Sequence, residues 1–105
     1  MNAAPTGRDK RQHERYQVTS LKHIWNLSEG GAYIATESPK RLGSKVHMEF
    51  KLGEGGPTFH ALAKVIRVLH KPNPKLHEPA GMAVQFVEIG EDQAALLRQY
   101  LKQFK

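Results

Sequence analysis

Between residues 46 and 69 the chain has few ways to fold. Val46, Met48, Phe50 and Leu52 alternate with His47, Glu49 and Lys51, a period of two that gives a strand one apolar and one polar face. Gly53-Glu54-Gly55-Gly56-Pro57 follows at once, a composition that turns a chain back rather than extending it. A strand ending in such a turn needs an antiparallel neighbour, and Phe59 to Leu69 supplies one. Both faces of this second run are partly apolar, as expected of a strand that curves around a core or carries a bulge.

The same reading extends outward from this hairpin. Tyr16 to Trp25 is rich in strand-forming residues, and Trp25 itself reads as core. Asn26-Leu27-Ser28-Glu29-Gly30-Gly31 is a turn by composition, and Ala32 to Thr36 is a short strand. Pro39 and Gly43 bracket a loop, Lys71 to Pro79 holds three prolines and reads as another, and Met82 to Val87 makes a further strand. After Gly90 the period changes. Ala94, Leu97, Leu101 and Phe104 share one side of a helix predicted over about 91–104, acidic at its start and basic at its end, as its dipole favours. Residues 1–15 show neither period and read as a flexible basic arm, with a single domain over 16–105. Five or six strands with short connections and one terminal helix predict an antiparallel, all-β architecture.

Composition narrows the function. A chain of 105 residues holds about one domain, which excludes a multidomain enzyme. Sixteen Lys and Arg against ten Asp and Glu give +6, which predicts an anionic partner. The absence of cysteine leaves no disulfide or thiolate metal site. No leader pattern and no apolar run long enough for a bilayer appear, so a cytoplasmic protein is expected, with no membrane partner. The six histidines lack metal-ligand spacings, and no metal or cofactor is predicted. The glycine-rich 53–57 stretch leads into a strand and lacks the P-loop lysine, and Ser28 has no nucleophile-elbow context, so no enzyme is predicted. Single-stranded nucleic acid is disfavoured, because the eight aromatics fall mostly at alternating core positions rather than on a basic face.

Two short patterns carry chemistry: Arg11-Gln12-His13-Glu14-Arg15 and Asn26-Leu27-Ser28-Glu29-Gly30-Gly31. Together they resemble the paired RxxxR and (D/N)xSxxG motifs of the PilZ domain family, whose members bind the bacterial second messenger cyclic di-GMP. The order of the motifs, the following Ala32-Tyr33-Ile34, the run Gly43-Ser44-Lys45-Val46 and the run Gly81 to Phe86 before a final helix carry the likeness from Arg11 to about Phe104. The resemblance implies a six-stranded antiparallel β-barrel capped by a C-terminal helix. It also implies a cyclic di-GMP site built from Arg11, Arg15, Asn26, Ser28 and Gly31, with Lys10 and Gly30 as weaker members. A bacterial regulator of motility or biofilm, signalling to a downstream protein, is what the family suggests.

The residue types suit such a ligand. A guanidinium donates a two-pronged hydrogen bond to phosphate or to guanine O6 and N7, and stacks on base faces. An asparagine offers both donor and acceptor to a guanine edge, and a serine hydroxyl can bind a base or a phosphate. Gly30 and Gly31 would let backbone approach the ligand or simply shape the turn. Asn26 and Ser28 could equally bond their own turn. Arg11 and Arg15, on an arm that is mobile when empty, would fold over the ligand and create a surface for the downstream protein. The alternative is a degenerate PilZ module that binds protein and not cyclic di-GMP.

The chain departs from the family at 16–25, where the family usually has a longer two-strand hairpin. A single strand of ten residues at ~3.3 Å each would hold the arginines roughly 33 Å from Asn26. A very short hairpin around Thr19-Ser20 would instead bring them together. Lys10 stands where an arginine accompanies a stacked ligand dimer and a bulky apolar residue accompanies a single ligand, so stoichiometry stays open.

Overall fold

The structure is a computed structural model that describes residues 14–18, 21–53 and 55–103. Six strands form one sheet: β1 (Glu14–Val18), β2 (Ile24–Trp25), β3 (Gly31–Ala35), β4 (Lys45–Lys51), β5 (Thr58–Leu69) and β6 (Gly81–Glu88). A single α-helix, α1 (Glu91–Lys102), follows them, and a 3-10 turn at Leu21–His23 sits between β1 and β2. The spatial order is β1-β4-β5-β6-β3-β2.

The hairpin predicted over residues 46–69 forms as expected. β4 pairs antiparallel with β5, Phe50 opposite Phe59, and Val46, Met48, Phe50 and Leu52 are all buried. In β5 the register against β6 shifts at Leu62/Ala63 and again at Val65/Arg67. Inward alternation nevertheless continues through Phe59, Ala61, Ala63 and Val65, and Leu62 is buried on the opposite face, outside the main core cluster. The extra residues, Val87 in β6 and Ile66 in β5, bend this pair of strands around the core. Phe59 centres that core, its ring 5.2 Å from Phe50 and 5.3 Å from Phe86. The helix seals one side with Leu97, fully buried, and the buried Gln93 accepts a 2.9 Å hydrogen bond from the His60 backbone N–H.

The sheet is mixed, not wholly antiparallel as predicted. β1 runs parallel to β4, with Glu14 opposite Val46 and Val18 opposite Phe50. The cause is topological: β1 lies beside β4 rather than pairing with the strand that follows it, so the short hairpin allowed at 16–25 does not form among the described residues. Nor is that segment a single ten-residue strand. β1 and β2 occupy opposite edges of the sheet, yet only residues 19–23 join them, a reach of at most about 22 Å from Val18 to Ile24. A sheet whose two edges are tied so closely must curl, and the result is a half-barrel with an open seam. A cleft of about 930 Å³ lies along this seam, lined in part by Tyr16 and Val18 on one edge and Ile34, Ala35 and Ala80 on the other.

Two further boundaries differ from the sequence reading. Glu14 and Arg15, assigned to the arm, begin β1; the remainder of the arm, residues 1–13, lies outside the described residues. The helix ends at Lys102 with Gln103 as its C-cap, and Phe104 lies outside the described residues. Trp25 is not the core residue that the sequence suggested. It is 42% exposed, because its partner Tyr33 sits on the outer face of the sheet while Ile34, one residue on, points inward.

Candidate functional site

Register decides what surrounds the Asn26–Gly31 turn. On the outer face, one cross-strand row runs Trp25, Tyr33, Ala83, Arg67, and the next runs Gly31, Gln85, Lys64, Lys45. Where these rows meet the turn there is a cleft of about 430 Å³. Asn26, Ser28, Gly30 and Gly31 form one wall, and Ile66, Arg67, Glu78 and Gln85 contribute to the other. The structure therefore brings together four of the predicted site residues, and it adds a second wall that no local motif announced.

Each turn residue has a local reason for its place. Asn26 adopts φ +52°, the left-handed region that asparagine tolerates better than most residues. Its side chain is exposed and has no hydrogen-bond partner among the described residues. Ser28 closes the turn: its backbone N–H donates to the Gly31 carbonyl at 2.9 Å. Its hydroxyl donates to the same carbonyl and accepts from the Gly30 N–H, both at 3.3 Å. These longer contacts are ones a ligand could take over.

The two glycines divide the roles that the sequence left open. A Cβ on Gly31 would stand 2.1 Å from the Val84 carbonyl oxygen, so β3 and β6 approach here as only glycine permits. A Cβ on Gly30 would meet nothing within 4 Å, so the fold does not demand glycine there. Gly30 is nonetheless tied to β6 through its carbonyl, which accepts from Phe86 N–H at 2.9 Å.

On the opposite wall, Arg67 and Glu78 form a two-pronged ion pair. One terminal nitrogen of Arg67 reaches Glu78 Oε1 at 2.8 Å and the other reaches Oε2 at 3.3 Å. The Arg67 hydrogen bond holds the Glu78 carboxyl below its ordinary pKa, and Glu78 in turn holds the guanidinium in its charged form. Beneath them Tyr33 is buried, its hydroxyl donating to the Pro79 carbonyl at 2.7 Å. Burial first, and the Glu78 charge second, push the Tyr33 hydroxyl above its usual pKa.

Arg15 is not brought into this cleft. It faces outward from β1, with its guanidinium 3.6 Å from Glu49 on β4. Glu49 also accepts a 2.9 Å hydrogen bond from Gln17, and that bond, with the Arg15 charge in support, keeps its carboxyl below the ordinary value. Arg11 and Lys10 lie outside the described residues.

A family model for the PilZ domain matches residues 10–103, and the chain belongs to that family. A search among curated proteins finds no match. PilZ domains are cyclic di-GMP-binding and adaptor modules, generally without catalysis of their own. No helix among the described residues is long and apolar enough to cross a membrane.

Proposed function

We infer that this protein is a cyclic di-GMP receptor acting as a non-enzymatic adaptor. The observation that carries the reading is that Asn26, Ser28, Gly30 and Gly31 line one wall of an open cleft, with the Asn26 amide facing solvent. A guanine edge has alternating donors and acceptors, and an unengaged amide matches them without first breaking an internal bond. Arg11 and Arg15 supply guanidinium forks from the N-terminal side. On binding, residues 1–13 fold against the barrel and present a new surface to a downstream protein. Cytoplasmic location and a role in a bacterial motility or surface response belong to the same reading.

One observation favours the alternative, a PilZ adaptor without the ligand: Arg15 is paired with Glu49 rather than placed in the cleft. Calorimetric titration of cyclic di-GMP separates the two. Saturable binding, weakened about tenfold or more in Arg11→Ala and in Asn26→Gly and absent with GTP, is the result expected of a receptor. Asn26→Gly is the better probe than alanine, because glycine keeps the left-handed backbone at no cost while removing the amide. No heat at saturating ligand, with a normal melting curve, would leave the ligand-free adaptor. Amide exchange over residues 1–13 tests the ordering step, and unchanged exchange at saturation would exclude it.

A further inference from the structure

The 430 Å³ cleft carries charge on one wall only. Of the described residues that line it, Arg67 is the sole cation and Glu78 the sole anion, and they cancel each other. A ligand with two phosphates gains little attraction from a wall whose net charge is zero. Yet the cation is positioned for an anion. The Arg67 side chain is 47% exposed, and both terminal nitrogens already grip a two-oxygen anionic group in the fork geometry that guanidinium favours. A phosphate presents two oxygens in the same way. Exchanging carboxylate for phosphate is therefore a like-for-like substitution, whereas a neutral guanine edge would not compete with a carboxylate for the fork.

Glu78 is not free to leave the site altogether. It closes the β5–β6 loop through two backbone hydrogen bonds with Asn73, at 2.8 and 3.0 Å, beside His77 at φ +56°. Its side chain can still swing away while its backbone stays, since Glu78 is only part-buried.

We propose that Arg67 is a further ligand-binding residue of the site, one that takes a phosphate of cyclic di-GMP, and that Glu78 is the internal anion the phosphate must displace. The proposal rests on the cyclic di-GMP reading above. Glu78 thereby sets affinity downward, so that the site answers only to ligand concentrations high enough to win the exchange.

A thermodynamic cycle in calorimetric titrations of cyclic di-GMP tests it, using wild type, Arg67→Ala, Glu78→Gln and the double variant. Arg67→Ala weakens binding about tenfold and Glu78→Gln tightens it about tenfold, the scale of one charge-assisted contact. In the Arg67→Ala background the gain from Glu78→Gln falls below about twofold, because there is no fork left to release. An equal gain in both backgrounds would reduce Glu78 to a distant repulsive charge and overturn the exchange. Weaker binding by Glu78→Gln would mean that Glu78 itself contacts the ligand, and would overturn it also. Wild-type binding undiminished by Arg67→Ala removes this inference and leaves the receptor reading intact; no binding by wild type or by any variant removes both. Melting curves confirm that the variants fold; should Arg67→Ala fail to fold, Arg67→Lys, which keeps the charge without the fork, takes its place and weakens binding by less than about tenfold.

Discussion

At the scale of single residues, neighbouring glycines in one motif do different work. Gly31→Ala forces a Cβ to within 2.1 Å of a backbone oxygen on β6, an atom that cannot move without breaking the β3–β6 ladder. Overpacking of this kind costs about 2 kcal/mol, which for a domain of this size lowers the melting temperature by about 10 °C. Gly30→Ala meets open space and should melt within about 2 °C of wild type. Differential scanning calorimetry of both variants checks the contrast, and equal melting temperatures would mean that the close approach at Gly31 is not real. The stability-neutral Gly30→Ala then becomes a clean probe of ligand contact, since any loss of binding cannot be blamed on the fold. None of this division is readable in the string Gly30-Gly31, because what separates the two is a strand fifty-odd residues away. The motif wall of the cleft was legible in sequence because its residues are local. The Arg67–Glu78 wall was not: the two are eleven apart across a proline-rich loop, and the bulge at Val65/Arg67 breaks the alternation that would have shown which way Arg67 points.

At the scale of elements, the helix and the hairpin were written in their periods, and the edge strands were not. The run from Val46 to Leu52 has one face to bury, and a one-residue slip would expose all of it. Leu97 is the comparable anchor of α1. It is fully buried between helix and sheet, so Leu97→Ala is expected to cost about 3 kcal/mol and to lower the melting temperature by about 15 °C. Thermal melts followed by circular dichroism measure this, and a shift under about 5 °C would show that the helix is not part of the cooperative core. β1 and β2 lack such signals. They are five and two residues long, and their pairing is decided by which neighbour the closed end of the sheet offers. For β1 that neighbour is β4, thirty-two residues on and parallel, a relation that no local periodicity encodes.

At the scale of the whole molecule, the excess of basic residues gives each carboxylate weight, and two of those among the described residues are shifted. Glu49, bonded by Gln17 and flanked by Arg15, joins β1 to β4; Glu78, gripped by Arg67, joins the β5–β6 loop to its strand. Both give up their protons more readily in the folded chain than in the unfolded one. A carboxyl depressed by folding stabilises the fold above its unfolded pKa, and that contribution drains away as pH falls through the folded value. The loss is therefore expected below about pH 4.5, on top of the repulsion that grows as acidic side chains discharge among sixteen Lys and Arg. Glu49→Gln with Glu78→Gln removes the two shifted groups. That variant should be less stable than wild type at neutral pH, with a shallower fall in melting temperature on acidification, so that the two curves converge at low pH. Parallel curves would mean that neither carboxylate is held by its partners in solution. Because β1 is an edge strand attached along one side only, amide exchange in Glu14–Val18 should rise at a higher pH than exchange in β5 or β6, whose backbones are paired on both sides. An acid transition that opens all strands together would show instead that the seam and the core form one cooperative unit.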